Sequence, residues 1–361
     1  MDEYSSFIAL FANYNLLSNC GRFRSFPLLK LPFLALQPIV KQFEIVDLVQ
    51  ISQLSNKVRS LVKFCHNGHD YEISVTIYYK WFRIKKVEKK SGEFMYLTIF
   101  PTVMMQKQSS FRHCKEIWDK RGNIGNLEFD YYNLDNVSNI YTDSWMEVGM
   151  KITDELLDLL SASCQQITIT PSIEYLDVYN WLNSLGGKFN ECLVYRRYSQ
   201  DDFMVFLENF RFSKSLWIGV LRMYDFYIEK LQIVTDDLEI ESPSWVTFQN
   251  VLDMRNCVTI ILDGGTLLTD KKWNLFLKMF ISGFGGRSSR LEYLKFRFYR
   301  DYNLATVIEG IKMEKVDSER VYRRRDIEKS DKGGFHFKLD SGEMATVYLK
   351  GPDVTVVVWK D

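Results

Sequence analysis

FPLLKLPFLALQPIVKQFEIVDLVQISQLSNKVRSLVK, residues 26–63, spaces its apolar side chains as amphipathic helices do. Leu31, Leu34, Leu36, Ile39, Val40, Phe43, Leu48, Ile51, Leu54, Val58, Leu61 and Val62 recur at three- and four-residue intervals. The stretch reads as two or three short helices, each with one oily stripe. A core built from fewer than about 40 residues is too small to stand alone. These helices must therefore pack against the rest of the chain or offer their surplus apolar face to another protein. Pro38 falls inside the first of them, where a missing N–H and a steric clash cost roughly 3 kcal/mol; a kink or a restart is expected there.

Outward from this stretch the period changes. From Asp70 onward Tyr71, Ile73, Val75, Ile77 and Tyr79 alternate with mostly polar neighbours, the two-residue beat of a strand. Phe94, Tyr96, Thr98 and Phe100 echo it after the turn Lys90-Ser91-Gly92-Glu93, which predicts a hairpin over 70–100. Residues 111–120 read as a helix and 123–143 as loop with short strands, with a boundary expected near Gly149.

Beyond Gly149 helix and strand signals take turns. Thr153, with Asp154 and Glu155, has the composition of a helix start. QQITIT, Glu191–Arg196 and SLWIGVL read as strands, with helices led by Ser172 and by Asp201-Asp202 between them. Leu231–Val234 and Leu238–Ile240 are short strand candidates, and Ser242-Pro243 has the pattern of a cap followed by proline. VTIILDGG reads as a strand ending in a glycine turn, and Thr269 as the cap of a helix with Trp273, Phe276, Leu277 and Phe280 on its buried stripe. LEYLKFRFY follows as a strand. A helix over 303–314 is then succeeded by strands that form a terminal meander, placed either against the 70–100 hairpin or at the end of the series.

Alternation at about 20–35 residues per unit is the beat of leucine-rich repeats, although it also fits a doubly wound sheet. The expected fold is mixed α and β. A small helical region spans 24–66, a β-hairpin and linker region 67–149, and an irregular leucine-rich-repeat-like α/β region with an antiparallel meander 150–361.

Leu31-Pro32, Leu36, Ile39-Val40 and Phe43, followed by Asp47-Leu48, Ile51, Leu54 and Lys57, resemble the F-box in residue type and spacing. Val58 departs from it where many F-boxes have Trp, and Leu34 where many have Glu. FQNVLDMRNCVTIILDGGTLLTDKKWNLFLKMFISG (248–283), LEYLKFRF (291–298), DIEKSD (326–331) and SGEMATV (341–347) are similar to the F-box-associated type 2 region, a resemblance covering roughly 200–350. The two resemblances imply a substrate receptor of a Skp–cullin–F-box ubiquitin ligase. Its partners would be a Skp-type adaptor, a cullin reached through that adaptor, and an unknown protein substrate, with no cofactor and no catalysis of its own. The adaptor-binding residues implied are Leu31, Pro32, Leu36, Ile39, Val40, Leu48, Ile51 and Leu54. The competing reading is a repeat-type interaction scaffold whose N-terminal helices cap the solenoid.

Composition agrees with a protein-binding role. With 46% hydrophobic and 25% charged residues in 361, the chain can bury a sizeable core. Lys plus Arg equals Asp plus Glu at 46 each, so no overall field favours nucleic acid or an anionic membrane. The six cysteines, at 20, 65, 114, 164, 192 and 257, show no C-x-x-C pairing and read as reduced thiols of a cytoplasmic or nuclear protein. Asp2 and Glu3 replace the basic start of a signal peptide, and no apolar run approaches the length of a membrane span.

Individual clusters carry little chemistry. Cys65-His66-Asn67-Gly68-His69 has metal-ligand residue types, but His113 and His336 are distant in sequence and the cluster reads as a polar turn. Gly264-Gly265 and Gly283, Gly285, Gly286 lack the Lys-Ser/Thr of a phosphate loop and read as turns. Arg323-Arg324-Arg325, with Asp326 and Glu328 adjacent, and Asp236-Asp237-x-Glu239-x-Glu241 read as solvated strand faces. The aromatic share of 15% is in excess, and Trp217, Trp245, Trp273, Phe276 and Phe280 divide between core and partner-facing roles that spacing alone does not separate.

Overall fold

The computed structural model describes residues 32–67, 70–105, 120–134, 137–185, 189–195, 198–211, 214–219, 228–231, 233–266, 268–283, 289–298, 302–316, 320–324, 327–330 and 333–360. Residues 111–119 of the helix expected over 111–120, and the lead-in before residue 32, lie outside them, and Lys120 begins a strand. Two compact units divide the chain, Met1–Cys164 and Gln165–Asp361.

In the first unit, α1 (Phe33–Lys41), α2 (Ile45–Gln53) and α3 (Asn56–His66) precede a sheet. Its strands are β1 (Tyr71–Tyr78), β2 (Trp81–Glu88), β3 (Phe94–Phe100), β4 (Lys120–Ile124), β5 (Leu127–Leu134) and β6 (Val137–Tyr141), and α4 (Trp145–Leu159) follows. They hydrogen-bond in the order β1-β2-β3-β6-β5-β4, antiparallel except where β3 meets β6. The expected hairpin is present and gains a third strand. Every second side chain of β1, Tyr71, Ile73, Val75 and Ile77, is buried, as the alternation requires.

Helix α4 lies on β2 and β3 and fills the other half of this core with Val148, Ile152 and Leu156. The boundary expected at Gly149 falls inside α4, because Ser144 and not Thr153 precedes its first turn. Thr153 is buried in the helix interior, where its hydroxyl donates to the Gly149 carbonyl at 2.8 Å. Gly149 faces the sheet, and a Cβ built there would stand 2.5 Å from the Phe82 ring. Gly149→Ala would gain about 1 kcal/mol of helix propensity but must displace a ring that is fully buried. We expect the clash to win, with a net loss of about 1–3 kcal/mol seen as a lower midpoint in urea unfolding; a raised midpoint would refute the close approach.

Pro38 does not break α1, which runs unbroken from Phe33 to Lys41 with Pro38 in its interior. The proline is exposed, so its ring meets no packed neighbour, and in so short a helix it removes one ladder bond only.

The second unit is a series of parallel strands in chain order. β7 (Ser163–Ile169), β8 (Glu191–Tyr195), β9 (Ser215–Gly219), β10 (Asp237–Glu241), β11 (Thr259–Thr266) and β12 (Tyr293–Phe298) each pair with the next. Between them run α5 (Leu176–Ser184), α6 (Gln200–Asn209), α7 (Phe248–Asp253) and α8 (Asp270–Ile281). Cys192 and Val194, Leu216 and Ile218, Leu238 and Ile240, Ile260 and Leu262, and Leu294 and Phe296 form the buried sheet face. Phe203, Phe206, Trp273 and Phe276 from the helices are buried with them. Most alternate positions are polar or half-exposed, and among the described residues the helices lie on the first face. A doubly wound sheet needs a reversal of strand order and helices on both faces, and the described residues of these parallel strands show neither.

Local signals set the helix starts. Ser199 and Asp202 form a reciprocal capping box for α6, Thr247 and Asn250 another for α7, and the Thr269 hydroxyl accepts from the Lys272 N–H of α8. Ser242 is not the expected cap. It sits in a left-handed conformation at φ 54° before a single 3₁₀ turn, and α7 begins only at Phe248. Nor do Gly264-Gly265 end their strand; at φ 101° and 89° they form an irregularity within β11, which resumes pairing with β12 at Thr266. Of the strand expected over 231–234, the described residues Leu231, Ile233 and Val234 lie outside any strand, and the helix expected over 303–314 is one turn, Leu304–Val307.

The terminal strands close the series. β18 (Asp353–Trp359) pairs antiparallel with β12, followed outward by β17 (Met344–Lys350), β16 (Phe335–Lys338) and β13 (Glu314–Lys315). β14 (Val321–Arg324) and β15 (Ile327–Ser330) form a separate hairpin.

Candidate functional site

Helices α1 to α3 are fitted into the first unit. α2 packs on β3, β4 and α4, and α3 also reaches α4. Arg59 of α3 lies in ion pairs with Glu155 and Asp158 of α4, and Lys63 bonds the other Asp158 oxygen at 2.7 Å. Those two bases hold the Asp158 carboxyl below its ordinary range, the Lys63 hydrogen bond contributing most. Tyr131 of β5 donates to Asp47 at 3.3 Å.

This packing divides the eight residues that the F-box resemblance implicates. Leu36, Val40, Leu48 and Ile51 are buried inside the unit and hold the helices together. Ile39 is half-buried, Pro32 is exposed, and Leu54 is 64% exposed at the end of α2. Leu31 lies outside the described residues. Phe64, which the spacing argument did not single out, is 57% exposed on α3. Helical periodicity places Phe64 off the main stripe, and an aromatic side chain off the stripe is the only signal that could have found it. Beside it Ser60, Lys63, His66 and Asn67 of α3, with Leu160 and Ser161 after α4, line a surface depression of about 430 Å³.

Cys65 and His66 point inward. The His66 Nδ1 and the Tyr71 hydroxyl are hydrogen-bonded at 2.9 Å, and burial, aided by Glu88 and Glu93, raises the Tyr71 pKa well beyond the usual phenol range. Burial likewise raises the Cys65 thiol, against a smaller pull from Lys41. Gly68 and His69, the rest of that cluster, lie outside the described residues. Among the described residues no three His, Cys, Asp or Glu side chains converge as a metal site.

Lys86 of β2 is 5% exposed, with its ammonium 5.2 Å from the centre of the Tyr71 ring. Burial lowers its pKa to about 8, although Glu44, Glu88 and Glu93 act to raise it. In an unfolded chain a lysine titrates near 10.4. Between about pH 8 and that value the unfolded chain holds a proton that the folded chain has released, so stability rises with pH across this window and is lowest below it. Lys86→Met should remove about 2–3 kcal/mol of this rise, measured as urea midpoints at pH 7 and pH 10; parallel profiles for the two proteins would show that Lys86 is not the source.

Residues 28–70 match the F-box domain family, and residues 227–296 match the family described as F-box associated. No curated protein and no solved structure matches the chain. The first match covers α1 to α3, and the second runs from before β10 into β12 across the series of parallel strands. With a helical F-box followed by a large, mostly β region carrying the associated domain, the chain is an F-box protein with an F-box-associated type 2 domain.

Proposed function

We propose that the chain is the substrate-recognition subunit of a Skp–cullin–F-box ubiquitin ligase. The observation that carries this reading is the order of the two matched regions in one chain, F-box first and F-box-associated domain after it. Such regions belong to substrate-adaptor proteins, which are generally not catalysts. The work done is attachment: the F-box holds a Skp-type adaptor and through it the cullin, the second unit holds a protein substrate, and the conjugating enzyme supplies the chemistry from elsewhere in the assembly. Exposed Leu54 and Pro32, with half-buried Ile39, support adaptor docking through this surface, to which the F-box resemblance adds Leu31. Leu36, Val40, Leu48 and Ile51 contribute by fixing the helices from within.

The strands of the second unit, in chain order with helices on one face, support a leucine-rich-repeat-like stack that offers for recognition the part of its other face beyond the β14–β15 hairpin. The buried thiols of Cys65, Cys164, Cys192 and Cys257 support a reducing compartment, the cytoplasm or the nucleus. Affinity purification of the full chain with mass spectrometry tests the proposal. Adaptor and cullin should be recovered together; their absence from a folded preparation would favour the scaffold reading.

A further inference from the structure

Strands β8 to β11 turn one face to the helices and the other away from them. On that outer face the register aligns Leu193, Trp217, Glu239 and Ile261 in one row, and Tyr195, Gly219, Glu241 and Asp263 in the next. Gly219 has no side chain for a reason: a Cβ there would lie 2.2 Å from the Trp217 ring, which rests over this position. Tyr195, its register neighbour, stacks on Trp217 at 5.8 Å between ring centres and 18° between planes, and is 43% exposed. Two near-parallel rings thus lie on a floor made of backbone. The next two strands place Glu241, exposed, and Asp263 beside them. Partial burial, and then the neighbouring Asp263 charge, raise the Glu241 pKa.

The chain itself shows what this face accepts. Over the adjoining part of the same face lies the β14–β15 hairpin. Tyr322 stacks on Tyr293 at 5.7 Å, Ile327 joins the cluster that includes Ile261, and the Arg324 guanidinium donates to the Asp237 carboxylate of β10 at 3.0 Å. An aromatic contact plus a guanidinium on a β10 carboxylate is therefore a built mode of docking on this sheet. Arg297, the neighbour that also feels the Asp263 charge, has its hydrogen bonds on Asp353, at 2.7 and 3.2 Å.

We propose that the part of this face left open by the hairpin binds an extended, Arg- or Lys-bearing segment of a protein partner, its cation set against the Tyr195–Trp217 rings beside Glu241 and Asp263. Flat rings attract a cation electrostatically, Arg most of all, and adjacent carboxylates select it over neutral or acidic segments. The inference rests on the substrate-receptor reading and names the chemistry of its substrate.

The test uses the full chain and a short fluorescein-labelled peptide alternating Arg and Val, with counterparts in which citrulline or Glu replaces Arg. Fluorescence anisotropy should show binding of the Arg peptide only. Glu241→Gln with Asp263→Asn, and separately Tyr195→Ala, should each weaken it about tenfold or more, while Glu343→Gln, a surface carboxylate elsewhere, should not. Circular dichroism confirms that each variant is folded. Equal binding of the citrulline peptide, or an unchanged affinity in the double variant, would overturn the proposal. Adaptor capture by the same preparations separates the two readings: capture without peptide discrimination sinks only this inference, and discrimination without capture sinks only the ligase assignment.

Discussion

Ile39→Asp combined with Leu54→Asp abolishes co-purification of the Skp-type adaptor and leaves the melting curve of the chain unchanged; this is the expected result if the F-box docks through the apolar side chains its own fold leaves exposed. Leu54 is 64% exposed and Ile39 half-buried, so a carboxylate at either position meets solvent in the free chain and an apolar partner in the complex. Apolar anchors at the centre of an interface cost about 2 kcal/mol or more each when lost, and a desolvated charge adds to that. The pair should weaken capture at least a hundredfold or so. Leu36→Ala with Ile51→Ala is a different experiment. Those side chains are 3% and 9% exposed, and truncating each removes about 2–5 kcal/mol of core, so adaptor binding would fail through unfolding of the F-box. Adaptor recovery measured beside thermal unfolding distinguishes the cases. Full recovery with the double aspartate variant would mean that the adaptor contact lies elsewhere.

The difference between these pairs shows what the sequence could and could not convey. Three- and four-residue spacing reports that Leu36, Leu48, Ile51 and Leu54 share a stripe, because helical geometry fixes it. It does not say which part of the stripe α4 and β3 cover, since that depends on residues about a hundred positions away, such as Glu155 and Asp158, which engage Arg59. Alternation found β1 and the strands β7 to β12, whose inward side chains are dictated by a two-residue period. The helix start at Thr153 was misread because a cap-like residue followed by acids also occurs inside a helix, where the threonine hydroxyl turns to its own backbone. Ser242-Pro243 failed for a related reason. The strand crossing beside it brings the Asp263 carbonyl to the Ser242 N–H at 2.7 Å, a tertiary bond that local pattern cannot foresee. The aromatic excess was legible as an excess only. Trp273 and Trp217 both follow core-like spacing, yet one is enclosed and the other rests on the outer face over Gly219.

Trp273→Ala is expected to be the most destabilising single change in the second unit. The indole is fully buried, lies face to face with Phe296 at 3.4 Å and 5°, and meets the edges of Phe276 and Phe298 at 5.7 and 6.4 Å. It is thus the contact through which α8 holds β12. The same helix fixes the segment after β12, since the Asn274 amide donates to the carbonyls of Val307 and Glu309 at 3.0 and 2.9 Å. Truncation to alanine leaves a cavity among rings that cannot close around it, and costs about 3–5 kcal/mol, against which the few tenths gained in helix propensity are minor. Trp273→Phe separates stacking from volume. The Nε1–H of Trp273 is buried without a hydrogen-bond partner among the described residues, so phenylalanine keeps a ring on Phe296 and removes a polar group that folding leaves unpaired, a relief of about 1–3 kcal/mol. The phenylalanine variant should therefore lose less than half of what the alanine variant loses, measured as the difference between their urea midpoints and that of the parent chain. Equal losses would mean that the void, and not the Trp273–Phe296 stack, decides the stability of this layer.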